Sequence, residues 1–271
     1  MACYRLEQTL LSLEDLNLRL GGRDILTGVN ASIRNVTRPG VEQGQVVAIL
    51  GPSGIGKTQL FRVLAGLQSP DSGRVLLGAE QRPVERGTVG VVAQDYPLFE
   101  HHSVLANLRL AARLAGLRGK EAEQRCRDLL ARFRLEAQGD CYPAVLSGGQ
   151  RQRAAIAQQL LRASRLLLLD EPFSGLDLRM VRETCALVRE VSQQDELFTI
   201  VLVSHDIEAV LAVSDTVWLL GRSSNQPRDA GASIVHRLDL MERGLAWCPD
   251  VRDAPGYVET KRELERRFLE L

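Results

Sequence analysis

Hydrophobic positions along the 271-residue chain follow two periods. Residues 13–20 alternate as Leu13-Glu14-Asp15-Leu16-Asn17-Leu18-Arg19-Leu20, the pattern of a half-buried strand. Gly21-Gly22-Arg23-Asp24 then signals a turn, with a second strand over 29–33 and an extended hairpin loop over 35–43. Continuous apolar runs at 46–50, 89–93, 166–169, 199–203 and 217–220 suit strands covered on both faces. Helical spacing fills 59–67, most of 103–163 and 178–192. Strands alternating with helices predict an α/β fold. Its sheet is mostly parallel, with an N-terminal antiparallel β subdomain and an all-helical insertion at about 95–163. The polar stretch 221–232 reads as a flexible connection. Residues 257–271 set Tyr257, Leu264, Phe268 and Leu271 at roughly heptad spacing among charges. Such a helix either packs on its own domain or docks on a partner.

Charge narrows the classes. Lys+Arg and Asp+Glu both number 34, so no overall field draws the chain to nucleic acid or to an anionic membrane. Five scattered cysteines form no Cys-x-x-Cys, which fits reduced thiols in a cytosolic protein. The start, MACYRLEQTL, lacks the basic-then-apolar pattern of a signal peptide. The longest strongly apolar runs are about five residues, against the roughly 20 needed to span a bilayer. Work at a membrane would need another protein to hold the chain there.

Three motifs carry chemistry. Gly51-Pro52-Ser53-Gly54-Ile55-Gly56-Lys57-Thr58 follows a strand and opens a helix, the setting of a phosphate loop. Its backbone N–H groups and helix dipole favour phosphate oxygens; Lys57 reaches the β- and γ-phosphates and Thr58 offers a hydroxyl to Mg²⁺. Asp170 ends a strand of four leucines, so its carboxylate emerges at the sheet's carboxyl edge, where ligands bind in open α/β sheets. Ser147 stands where a helix N-cap belongs, and with the Gly148 and Gly149 N–H groups it makes a second anion site.

The order of these motifs resembles the ATP-binding cassette (ABC) ATPase family, a P-loop NTPase, over residues 11–220, with 221–271 a C-terminal extension ending in an amphipathic helix. The resemblance implies roles. Gly51 to Lys57 hold the nucleotide phosphates, Thr58, Gln94 and Asp170 bind Mg²⁺, and Glu171 polarises the attacking water. His205 is the switch histidine, and Gln94 links the sheet to the helical insertion. Ser147, Gly148, Gly149 and Gln150, with Asp177 of the run Ser174-Gly175-Leu176-Asp177, face the ATP of a second cassette. One cassette per chain therefore implies a dimer, of identical subunits or with a related chain. His101, His102 and His236 match no motif and read as surface or packing residues.

The chain departs from the family at two site positions. Gln59 replaces the usual Ser or Thr, and Leu20 stands where an aromatic usually stacks on adenine, leaving Tyr4 the sole nearby aromatic. Ala157-Gln158-Gln159-Leu160 replaces a common Ala-Arg-Ala-Leu and carries no functional weight. The implied function is the ATPase subunit of a membrane transporter at the cytoplasmic face of the inner (plasma) membrane. Its expected partners are permease subunits and a solute-binding protein; the short chain and Gly231 to His236 are similar to the nitrate, sulfonate and taurine importers. The segment 95–108 resembles the family's groove for a membrane subunit, although an ordinary loop and amphipathic helix would share its spacing. A soluble cassette protein of translation or DNA repair and an exporter remain alternatives. A P-loop kinase or GTPase has no use for Ser147-Gly148-Gly149-Gln150 or His205.

Overall fold

The computed structural model describes residues 4–37, 44–162, 164–193, 195, 197–222, 230–248 and 250–271. In chain order β1 (Arg5–Leu20), β2 (Arg23–Thr37), β3 (Gln45–Leu50), α1 (Lys57–Leu64), β4 (Ser72–Leu77) and β5 (Arg82–Pro83) come first. Then follow β6 (Gly90–Val92), α2 (Val104–Leu114), α3 (Gly119–Arg132) and α4 (Gly148–Leu160). The last stretch is β7 (Leu166–Asp170), α5 (Leu178–Ser192), β8 (Thr199–Ser204), α6 (Ile207–Val213), β9 (Thr216–Gly221), β10 (Ser233–Asp239) and α7 (Tyr257–Leu269). Two compact units result: 1–89 with 168–271, and 90–167.

The first unit holds an antiparallel sheet in the order β2-β1-β4-β5. β1 starts at Arg5, well before its alternating stretch, because residues 5–12 pair with β2 from Arg5↔Thr37 to Ser12↔Ser32. Register shifts in that pairing scramble the side-chain alternation, so the periodicity fades where the backbone ladder continues. For the same reason β2 absorbs residues 35–37, expected as loop; 38–43 lie outside the described residues.

In the second sheet the strands run β10-β9-β3-β8-β7. β3 pairs in parallel with both β8 and β9, and every residue of these three strands is buried. Burial on both faces explains why they read as unbroken apolar runs. β10 is antiparallel to β9 and only half-buried, and the apolar–polar mixture of Ser233–Asp239 hides it from a search for apolar runs. The connection 221–232 is ordered at its ends: Gly221 closes β9 and Ala232 bridges Leu26, while 223–229 fall outside the described residues. α1 stops at Leu64, short of residue 67, because Gly66 takes φ 65° and turns the chain out of the helix.

α7 packs on its own unit, one of the two readings left open. Tyr257, Thr260 and Leu264 are its buried residues. Glu208 on α6 holds Lys261 at 2.5 Å and Arg252 at 3.1 Å, and Arg243 reaches Glu263 at 2.7 Å.

In the second unit, α2 is capped by Ser103, whose side chain accepts from Ala106 N. The buried residues of α4 are mostly small or polar, which lets helices approach closely. Among the described residues no helix is long and apolar enough to cross a membrane.

Candidate phosphate-loop site

The site grows from the carboxyl ends of β3, β7 and β8. β3 delivers Leu50 to the loop Gly51–Gly56, and the loop's glycines are demanded by geometry. A Cβ on Gly51 would lie 2.6 Å from Leu220 O, and Gly54 and Gly56 take φ of 79° and 115°. α1 then begins at Lys57 beside the loop with no side-chain cap, and the N–H of Gln59 in its first turn donates to Gly56 O at 3.0 Å.

Lys57 is only 7% exposed. Its Nζ donates to Gly51 O at 2.8 Å and Pro52 O at 3.1 Å, and lies 3.4 Å from Glu171 Oε1. Glu171 follows β7 with φ 47°, a conformation uncommon for a residue with a side chain, and its N–H donates to Val203 O of β8 at 2.9 Å. Its other oxygen, Oε2, meets His205 Nδ1 at 2.9 Å. His205 follows β8 and is held at its base by the start of α6, where Asp206 caps Ala209 N and donates its own N–H to Ser204 Oγ. Lys57, Glu171 and His205 thus form one contiguous row across the sheet edge.

Asp170 has its Oδ1 buried with no hydrogen-bond partner among the described residues. Burial raises its pKa above the ordinary carboxylate value and the charge of Glu171 adds to the rise, while Lys57 and Arg62 oppose it. An orphaned carboxylate oxygen of this kind suits a hard cation, and the exposed Thr58 stands one residue beyond Lys57 as a second oxygen donor. The donor set fits Mg²⁺ beside a phosphate loop. Gln59 carries a buried Oε1 without a partner, a second unmet polar atom on the first turn of α1.

The other expected site residues sit differently. Leu20 ends β1 and is 38% exposed, open to contact with a ligand. Tyr4 is unavailable for a base: its hydroxyl donates to Asp239 Oδ2 at 3.2 Å and its ring packs edge-on against Trp247. Asp177 caps α5, accepting from Met180 N at 2.9 Å, so its carboxylate already has a structural task. In the second unit, Ser147 accepts from Gln150 N while Gln150 Oε1 accepts from Ser147 N, a reciprocal capping box that fixes the turn. The Gly148 and Gly149 N–H groups belong to the first turn of α4, as an anion site requires. Gln94 lies just after β6. His236 is half-buried, its Nε2 3.8 Å from Glu263 Oε1. Neither Ser204 nor Arg151 stands out by pattern; for Arg151 the available signal is its place directly after Gln150.

Relatives bear on this geometry. Residues 36–174 match the sequence model described as ABC transporter. The Fe(3+) ions import ATP-binding protein FbpC 1 of Rhizobium meliloti (strain 1021) is 44% identical over 234 residues, covering 82% of this chain and 65% of that protein. A probable sulfate/thiosulfate import ATP-binding protein CysA of Chlorella vulgaris is 37% identical over 211 residues, 77% of this chain and 86% of its own. The solved structure of CbiO1 from Clostridium perfringens, part of the ABC transporter complex CbiONQ, matches with TM-score 0.73 at 27% identity over 97% of each chain. The chain spans about half to two thirds of the length of FbpC 1 and of other bacterial FbpC and CysA relatives that match it.

Proposed function

The chain belongs to the ABC transporter family, and we propose that it is the subunit that binds and hydrolyses ATP to drive solute import through a membrane permease. The observation that carries the reading is the row Lys57–Glu171–His205 at the mouth of the phosphate loop. The loop N–H groups from Gly51 to Gly56 and the Lys57 amine bind the phosphates, Gln59 donates its amide beside them, and Leu20 gives apolar contact to the base. Thr58 and Asp170 would hold Mg²⁺, which would supply positive charge to offset that of the nucleotide's phosphate oxygens. Glu171 takes the proton of the attacking water and His205 steadies Glu171 and the γ-phosphate. Lys57, now shared between loop carbonyls and Glu171, turns to the phosphate when nucleotide arrives and frees Glu171 to act as a base.

Two chains close around two ATP, with Ser147, Gly148, Gly149 and Gln150 of each facing the nucleotide of the other, and Asp177 near the seam. ATP favours the closed pair and hydrolysis releases it, since only the intact γ-phosphate bridges both. The partners are a second cassette, permease subunits and a solute-binding protein, with the subunit held at the cytoplasmic face of the plasma membrane. FbpC and CysA relatives carry the names of Fe(3+) and sulfate/thiosulfate import, and an inorganic ion is accordingly the first solute class to test.

The test is a membrane pull-down with tagged Glu171→Gln in the presence of ATP, read by mass spectrometry. Co-purification of a multi-span membrane protein with the variant is expected. Recovery of soluble proteins alone, with the chain absent from membranes, overturns the transporter reading.

A further inference from the structure

Within the second unit a strap from Tyr96 to His102 is tied down from two helices. Asn107 of α2, fully buried, accepts from Phe99 N at 2.7 Å and donates to Phe99 O, His102 O and Ser103 O between 3.0 and 3.1 Å. From α4, Arg151 Nε donates to Tyr96 O at 3.2 Å and the Arg151 guanidinium pairs with the Glu100 carboxylate. Gln152, the next residue, bonds the Tyr96 hydroxyl, whose pKa burial pushes up to about 12. Tyr96 itself takes φ 47°, a backbone state that holds only when neighbours over-determine it.

Arg151 sits one residue past the Ser147–Gln150 capping box, on the first turn of α4. A guanidinium fork spanning a carbonyl and a carboxylate fixes direction as well as distance. Two of its three anchors, Arg151 and Gln152, leave the same helical turn that presents the Gly148 and Gly149 N–H groups. Any displacement of the strap is therefore transmitted to that turn, and the reverse.

We infer that Arg151 and Glu100 are a positioning pair that sets the Ser147–Gly149 turn for the second nucleotide. The inference rests on the ATP-closed dimer proposed above. Neither residue touches nucleotide; both act through the orientation of α4.

The experiment uses the full chain with Glu171→Gln as parent, measuring by light scattering the MgATP concentration that half-closes the dimer. Binding of a fluorescent ATP analogue to the dilute monomer is the second readout. Arg151→Ala and Glu100→Gln should each raise the closing concentration about tenfold, the loss expected for one charge-assisted hydrogen bond, with monomer binding within about twofold of the parent. A general loss of folding would move both readouts together. Arg151→Glu should close poorly, and adding Glu100→Arg should recover part of the loss. Parent-like closing by both Arg151→Ala and Glu100→Gln overturns the inference, as does a swapped pair no better than Arg151→Glu alone. A parent that stays monomeric with ATP overturns the dimer itself, and this inference with it.

Discussion

Lys57 Nζ lies 3.4 Å from Glu171 Oε1, while Glu171 Oε2 meets His205 Nδ1 at 2.9 Å. The carboxylate is 13% exposed and lies between these two groups.

Glu171→Gln should lower the rate of phosphate release by about 10²- to 10⁴-fold, the usual worth of a positioned general base. Nucleotide affinity should change little, because the loop and Lys57 are intact. His205→Ala should give a smaller fall in the same assay, since it acts beside Glu171 and not as the base. Equal binding loss and rate loss in either variant would contradict these roles.

Asp170→Asn should stabilise the nucleotide-free protein while abolishing Mg²⁺-dependent hydrolysis. Burial and Glu171 raise the Asp170 pKa, so its ionised form costs folding free energy. The sign follows from linkage: the cost appears as pH rises above the unfolded carboxylate value and disappears below it. Thermal unfolding of the two proteins should therefore differ by a few degrees at pH 7 and converge near pH 4. A lower Tm for Asp170→Asn at neutral pH would refute the argument.

Leu20, 38% exposed at the end of β1, has no aromatic ring to stack on a base, and Tyr4 is committed to Asp239 and Trp247. GTP should compete measurably with ATP for the wild-type site. Leu20→Tyr should tighten ATP about tenfold, within the roughly 1–3 kcal/mol found for stacking on nucleic-acid bases. A competition binding assay reads both effects; strict ATP preference in the wild type would sink the idea.

Docking of α7 should be acid-sensitive. Lys261 holds the Glu208 carboxyl below its ordinary value of 4.5, and Arg243 does the same for Glu263. Carboxyls lowered in the folded state contribute stability above about pH 4.5, and that contribution is lost as pH falls through their folded values. Hydrogen exchange should show α7 protection weakening below about pH 4.5 in the wild type. Lys261→Met should weaken it at neutral pH and show a flatter pH profile. Leu264→Ala, at a fully buried position, should cost about 2–5 kcal/mol at every pH.

Sequence alone determined the parallel core and the motif residues, because both are local. β3, β8 and β9 are buried on both faces, so their apolar runs need no knowledge of neighbours. A phosphate loop is likewise one short segment whose backbone makes the site. Tertiary structure decided what depends on distant pairing. The early part of β1 and the edge strand β10 are strands because of partners across a ladder, and their side chains carry no clean period. Whether α7 packs or docks was settled by Glu208 and Arg243, which no spacing within 257–271 reveals. Lys57, Glu171 and His205 are 114 and 34 residues apart in sequence, and only the parallel order of β3, β8 and β7 brings their carboxyl ends side by side. The residue types were written in the chain; the distances that let them act together come from the sheet.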